Sequence, residues 1–399
     1  MILLISSVFP PEPVVSASIG NDLAIALSEH HKVIVITPKP TRPMGFFYEK
    51  ELKSSNNFEH IVLNSFTCPK SSIIGRMRES YSFGKHILKY VKNKRNEIKC
   101  IYLHSWPLLA PYIIIKAAKK YSIPSVIHIV DIYPEALTGK LPIIGNIVSR
   151  FLLPIDKFAL RNATKVITIS PKMKDYLILS RNLPEENKVE MIYNWQNEIS
   201  FIRFHETYKN ERKKPLFTFM FLGNLNNTAA IDNLICSFAE AKLKNSRLVI
   251  AGNGSEKANL VALANQYGDV VIEFWNAPIS EVPEIQSKAD ILLLGLRKGI
   301  SQFALPSKLP AYLFSAKPII ACVEKGSDTA EIINTANSGW VVPPENIKAL
   351  VQVMKDAVIT SSDNLLKYGI NGYNYALKNF SKETNLTKFV KIINEISLT

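Results

Sequence analysis

Phe217-Thr-Phe-Met-Phe-Leu222 runs directly into Gly223-Asn224-Leu225. A nearly unbroken apolar run of strand length that stops at a glycine reads as a parallel strand covered on both faces. The glycine allows a close backbone approach where the strand ends. The same event recurs toward the C-terminus, at Leu248–Ala251, Val270–Phe274, Asp290–Leu294, Pro318–Cys322 and Trp340–Val342. Helical patterns at Ala230–Leu243, Glu256–Asn265, Ser307–Phe314, Ser327–Asn334 and Ile347–Val358 separate these runs. Toward the N-terminus lies an earlier series with the same rhythm. Its strand candidates are Ile2–Ser6, Val33–Thr37, Ile61–Asn64, Cys100–His104, Val126–Val130 and Lys165–Ile169. Its helices are Ile19–Glu29, Ile73–Val91, Leu108–Lys120, Ile147–Arg161 and Lys172–Leu179. Strands alternating with helices give a doubly wound α/β domain, and here the pattern occurs twice. The expected organisation is an α/β protein of two Rossmann-like domains, 1–200 and 201–375, facing across a cleft, with a last helix in 376–399 crossing back to the first. The stretch Asn194–Pro215, with its charged Lys209-Asn-Glu-Arg-Lys-Lys-Pro215, reads as a solvated linker.

Composition agrees with this division. The chain has 399 residues, 47% of them hydrophobic, which is ample for two cores and excludes a disordered chain or a small disulfide scaffold. No run approaches the roughly 20 uncharged apolar residues of a membrane span. Met1-Ile-Leu-Leu-Ile-Ser-Ser7 has no basic leader and soon meets Pro10 and Pro11, so it reads as a buried strand rather than a signal peptide, and a cytoplasmic location is expected. Cys68, Cys100, Cys236 and Cys322 have neither Cys-x-x-Cys nor metal-ligand spacing and read as reduced small hydrophobes. Lys plus Arg is 48 against 34 Asp plus Glu, a formal net charge of +14. With no nucleic-acid motif and no aromatics interleaved with the basic runs, that excess points to an anionic membrane surface or an anionic substrate, not to nucleic acid.

Ligands of doubly wound sheets bind beyond the carboxyl ends of the strands, so the loops there are the candidates. The first, Val8-Phe-Pro-Pro11-Glu12-Pro-Val-Val-Ser16-Ala-Ser18, leads into a helix that Ser16 or Ser18 can cap, leaving an N-terminus that attracts anions. A proline-stiffened turn with an ordinary cap is the alternative. In His128-Ile-Val-Asp131-Ile-Tyr-Pro-Glu135, the two carboxylates follow a strand and can orient or deprotonate a hydroxyl. Glu135 can equally cap the next helix, and His128 reads as a core imidazole. In the second half, Gly223-Asn224 and Gly252-Asn253 each follow a strand. Leu296-Arg297-Lys298-Gly299-Ile-Ser301-Gln302-Phe-Ala-Leu-Pro306-Ser307-Lys308 brings three cations to a helix opening at Pro306 or Ser307, a suitable seat for a diphosphate; solvated side chains on a surface turn are the other reading. No Asp-x-Asp occurs, so neither a metal nor another cofactor is expected.

Taken together, these residues resemble the retaining, two-domain GT-B glycosyltransferases of family 4. Within them the chain is most similar to bacterial capsule, O-antigen and colanic-acid enzymes related to the N-acetylfucosaminyl transferases. Phe9-Pro-Pro-Glu12 with Asp22-Leu-Ala-Ile-Ala-Leu27 and His31-Lys-Val-Ile-Val35 is similar to the family's first loop, helix and second strand. Asp131-Ile-Tyr-Pro-Glu135 is similar to Asp-Leu-Trp-Pro-Glu, and Ile167-Thr-Ile-Ser170 with Asn194-Trp195 to the segments before the linker. Gly223-Asn224 and Pro306-Ser307-Lys308-Leu309 with Lys317-Pro318-Ile-Ile320 match motifs of the second domain. The departures are Val14-Val15 near the family's Gly-Gly, and Asn224 with Thr228-Ala229 in the region of its basic pair. Ala311, and a position at or near Phe303, replace its Glu-x7-Glu, which leaves ribose recognition unassigned.

The resemblance implies transfer of a hexosyl or N-acetylhexosaminyl group from a nucleotide sugar, UDP-linked on this reading, to a lipid-diphosphate-linked saccharide. It implies catalytic roles for Asp131 and Glu135. Donor binding would fall to Gly223, Asn224, Gly252, Asn253, Arg297, Lys298, Ser301, Gln302, Ser307 and Lys308. Acceptor binding would fall to Pro11, Glu12, Ser16 and Ser18. Two rival functions share such a fold: a nucleotide-sugar 2-epimerase, which the Pro-Ser-Lys-Leu pattern disfavours, and an inactive nucleotide-sugar- or glycan-binding relative, which Ala311 allows. The basic, apolar stretches Ile73–Arg95 and Gly139–Leu153 either rest on the inner, anionic face of the cell membrane beside the acceptor or pack on the first sheet.

Overall fold

A computed structural model describes residues 1–41, 57–68, 72–104, 108–135, 145–184, 188–207, 216–301 and 305–398. The chain divides into two units, Met1–Asn194 with Asn385–Thr399, and Trp195–Thr384.

The first unit contains β1 (Ile2–Ile5), α1 (Val15–Ser28), β2 (Val33–Pro38), β3 (Glu59–Leu63), α2 (Ile73–Lys94) and β4 (Cys100–His104). It continues with α3 (Leu109–Lys120), β5 (Ser125–Ile129), α4 (Gly145–Asn162), β6 (Lys165–Thr168), α5 (Pro171–Arg181) and β7 (Val189–Met191). The seven strands are parallel, in the order β3-β2-β1-β4-β5-β6-β7. Every residue of β1, β4 and β5 is buried, while edge strand β3 is partly exposed, as the unbroken apolar runs require of central strands. Helices α2, α3 and α4 pack side by side.

The second unit holds α6 (Ile199–Thr207), β8 (Phe217–Leu222), α7 (Ile231–Ala241), β9 (Ser246–Ala251), α8 (Lys257–Ala264), β10 (Val271–Trp275) and α9 (Val282–Ser287). After these come β11 (Ile291–Gly295), α10 (Lys308–Phe314), β12 (Ile319–Cys322), α11 (Asp328–Ala336), β13 (Gly339–Val342), α12 (Ile347–Ile359) and α13 (Ser362–Asn379). A last helix, α14 (Lys382–Leu398), begins in this unit and ends in the first. The sheet is again parallel, ordered β10-β9-β8-β11-β12-β13. Its strand order reverses between β8 and β11, so the loops after those two strands diverge and leave a crevice at their carboxyl ends.

Three expectations change. Part of the stretch read as linker forms α6, anchored by Phe201 buried in its first turn, while 208–215 lies outside the described residues. Helix α1 starts at Val15 with Val14 as an uncapped N-cap, so Ser16 and Ser18 lie within its first turn and cap nothing. Helix α13 fills a stretch left without an element, burying Gly369, Gly372 and Ala376. Cys100 and Cys322 are buried in strands, which pushes both thiols up to about 12. Among the described residues, no helix is long and apolar enough to cross a membrane.

Candidate active site

In the second unit the two glycine loops abut. Gly223 N–H donates to Ala251 O at 3.0 Å, and Leu225 N–H to Asn253 O at 2.9 Å. Gly252 has φ +133°, and a Cβ there would lie 2.1 Å from Gly223 O, so both its conformation and its neighbour require glycine. Asn224 and Asn253 are exposed beside this junction. Lys308, the first residue of α10, comes to the same corner. Its Nζ lies 4.1 Å from the Phe221 ring centroid, and a Cβ added to Gly223 would lie 3.3 Å from its Cε. Among the described residues no carboxylate pairs with it. Burial pushes its ammonium down to about 8. An ammonium held on a ring face and short of a counter-ion is disposed to take an anion.

Tyr312 explains why Lys308 arrives there. One turn further along α10 and fully buried, its hydroxyl accepts from Leu222 N–H at 2.8 Å and donates to Leu222 O at 2.9 Å. The helix is thereby riveted to the end of β8, immediately before Gly223. Tyr312 was absent from the sequence candidates. Its i, i+4 spacing from Lys308 was the available signal.

The other cations of that loop are deployed differently. The Arg297 Nη2 donates to both carboxylate oxygens of Asp232 at 2.8 Å, its Nε donates to Asn227 O at 3.1 Å, and Glu345 stands 3.8 Å away. Its charge is thus matched within the protein. Ser301 Oγ and Gly299 N–H both donate to the Glu324 carboxylate, and Glu324 N–H returns a bond to Ser301 Oγ at 3.0 Å. Residues 297–301 are therefore fastened on two sides, by Asp232 and by Glu324. Lys298 is exposed. Ser307 is exposed at the N-cap of α10 but makes no side-chain capping bond. Gln302 lies outside the described residues. Ala311 is buried within α10.

In the first unit, Asp131 is exposed two residues beyond β5, on a recess that Pro111, Ile129, Tyr133, Asp156 and Leu177 also line. The helix that Glu135 is expected to cap lies outside the described residues; within them its carboxylate is held by α5. The Glu135 carboxylate takes a two-pronged bond from Arg181, Nη1 to Oε1 and Nη2 to Oε2, each 2.7 Å, and a further 2.7 Å bond from Tyr176. Burial raises the Glu135 pKa, but the bonds from Arg181 and Tyr176 outweigh it and hold the carboxyl below its ordinary value. The network completes itself through Asp156, which accepts from Arg181 Nε at 2.7 Å and which burial nevertheless pushes up to about 6. Glu12 is also buried and engaged, accepting from Phe9 N–H at 3.2 Å and Thr41 N–H at 2.9 Å, so it fastens the first loop to the segment after β2. Pro11 and Ser16 beside it are half-buried, and Ser18 is exposed. His128 is a core imidazole, its Nδ1 2.8 Å from Tyr102 Oη. Among the described residues, no group of three or more His, Cys, Asp or Glu comes together to hold a metal.

Residues 21–197 match the family described as Glycosyltransferase Family 4, and residues 203–375 match Glycosyl transferases group 1. The chain belongs to the glycosyltransferases. A probable glycosyltransferase of Pseudomonas aeruginosa, WbjE, is 23% identical over 280 residues, 67% of each chain. The glycosyltransferase WcaI of Escherichia coli K12, named as a putative colanic acid biosynthesis enzyme, is 24% identical over 294 residues, 69% of each. Among solved structures, sucrose-phosphate synthase of Thermosynechococcus elongatus superposes with a TM-score of 0.75 at 15% identity, covering 99% of this glycosyltransferase and 98% of that chain. HepE of Anabaena, solved in complex with UDP, gives 0.70 at 13% identity and 99% coverage of both. WaaG, described as involved in lipopolysaccharide biosynthesis, gives 0.68 at 16% identity, covering 98% and 99%. These likenesses establish the GT-B fold of two Rossmann-like units.

Proposed function

We propose that this glycosyltransferase moves a sugar from UDP to a lipid-diphosphate-linked saccharide in the assembly of a bacterial surface polysaccharide, with retention at the anomeric carbon and without a metal. The observation that carries the donor half is the Lys308 corner: an ammonium with no carboxylate partner among the described residues, beside Gly223 at the point where the second sheet reverses its strand order. The UDP and UDP-glucose complexes of HepE support a UDP-linked donor. The names of WcaI and WaaG support a polysaccharide or lipopolysaccharide product. In this reading Lys308, with the backbone of Gly223 and Gly252, receives the diphosphate and stabilises the charge that grows as it departs. The acceptor hydroxyl attacks on the face the diphosphate leaves, its oxygen bonds to the anomeric carbon, and its proton passes to the departing phosphate oxygen. Asp131 orients the reacting sugar.

The acceptor half rests on the surface of the first unit. Along α2, Ile74 (84% exposed), Arg78, Tyr81 (49%) and Lys85 recur on one face, and α4 exposes Ile147 (59%), Arg150 and Phe151 (75%). Large apolar side chains among arginines and lysines suit an anionic leaflet, where each basic residue contributes roughly 1 kcal/mol. Flotation with phosphatidylglycerol vesicles tests this. Ile147→Glu/Phe151→Glu should remain in the soluble fraction, and equal flotation of wild type and variant would remove the membrane from the proposal. The donor half is tested by isothermal titration with UDP, wild type against Lys308→Met.

A further inference from the structure

Arg181 is the last residue of α5 and, among the described residues, the largest side chain wholly withdrawn from solvent. A buried guanidinium is costly unless every donor is satisfied, and each of its bonds goes to a defined place. Nε reaches Asp156 of α4. The two terminal nitrogens bind Glu135 on both oxygens, Tyr133 O at 2.7 Å and Ser180 Oγ at 3.0 Å. A tie between helices would need only the Asp156 bond. The Tyr133 and Glu135 bonds instead clamp the segment after β5 at two points, two and four residues beyond Asp131, from a partner 46 residues away in sequence. Tyr176, from the same helix, reinforces the clamp with its bond to Glu135.

We propose that Arg181, acting through Tyr133 O and Glu135, is a positioning residue that holds Asp131 in its working orientation; this rests on the role given to Asp131 above. Glu135 is then part of the clamp and does not itself exchange a proton with substrate. Backbone hydrogen exchange tests the clamp directly. In Glu135→Gln and Arg181→Lys, the amides of Ile132, Tyr133 and Glu135 should exchange about tenfold faster or more, the scale of one lost charge-assisted hydrogen bond. Amides within β5 and α5 should keep their rates. Tyr176→Phe, which removes one bond and no charge, should move the same amides the same way and serves if the other variants do not fold. Unchanged exchange at those amides, or a uniform increase through β5 and α5, overturns the clamp. Turnover, read as UDP release from the UDP-sugar giving the largest thermal shift, tests the coupling. Glu135→Gln should lower kcat, leave UDP affinity unchanged, and add no further loss in the Asp131→Asn background. A slow Asp131→Asn beside full-rate Glu135→Gln and Tyr176→Phe overturns the positioning role alone. A full-rate Asp131→Asn overturns both readings.

Discussion

Replacing Lys308 by methionine keeps an unbranched side chain as far as Cε while removing the ammonium that lies over Phe221. If that charge meets the donor diphosphate, the loss is one charge-assisted hydrogen bond, about 1.5–3 kcal/mol, or roughly a 10- to 150-fold rise in the Kd for UDP. The pH dependence gives a second magnitude. With a pKa of about 8, the ammonium of the free protein is roughly nine-tenths protonated at pH 7 and one-tenth at pH 9, so UDP affinity should fall roughly tenfold over that interval. Stability runs the other way. The folded pKa lies below that of an unfolded lysine, so between about 8 and 10.4 the unfolded chain binds more protons and the ligand-free protein gains stability as pH rises. Lys308→Met should remove this slope, and it should not lower Tm, because it deletes a buried charge. Isothermal titration with UDP at pH 7, 8 and 9, together with thermal melts of both proteins, measures all of this. Unaltered UDP affinity in Lys308→Met, or wild-type affinity that is flat across the series, refutes the assignment of the diphosphate to this corner.

Asp131→Asn should slow transfer by about 10²-fold, the scale of a positioned acid–base group, with UDP affinity and Tm nearly unchanged; a lowered Tm at a normal rate per folded molecule would make Asp131 structural. Transfer should survive excess EDTA, and loss that added Mg²⁺ or Mn²⁺ restores would show that a metal has been missed. Tyr312→Phe leaves the Leu222 N–H without its hydroxyl partner, so urea unfolding should report a loss of about 1–3 kcal/mol, with weaker UDP binding as the rivet between α10 and β8 is released. Gly252→Ala should destabilise more than Tyr312→Phe, since a Cβ would lie 2.1 Å from Gly223 O; melting temperature measures the comparison.

The strand runs and the repetition of the α/β pattern were legible in the sequence because both depend on local chemistry. Phe217–Leu222, interrupted only by Thr218, and Ile291–Gly295 are apolar segments of the kind that central strands of a parallel sheet bury on both faces. Segments that owe their structure to distant packing were not legible. Val189–Met191 is three residues with a glutamate at its centre, and it becomes a strand because β6 offers it an edge. Ile199–Thr207 becomes a helix around Phe201, although its surroundings read as linker. Charge shows the division most clearly. Arg297 and Lys308 stand in one loop and read alike, but Asp232, 65 residues earlier, neutralises the first, while Tyr312 sets the second beside Gly223 on the face of Phe221. Arg181 ends a helix, where sequence makes it an ordinary solvated cation. Burial against Glu135 and Asp156 turns it into the clamp of the Asp131 loop. The sequence determined which residue types follow the strands. Which of them keep their charge available and which spend it on one another was decided only by the tertiary structure, because electrostatic pairing acts through space and brings together residues that the chain holds far apart.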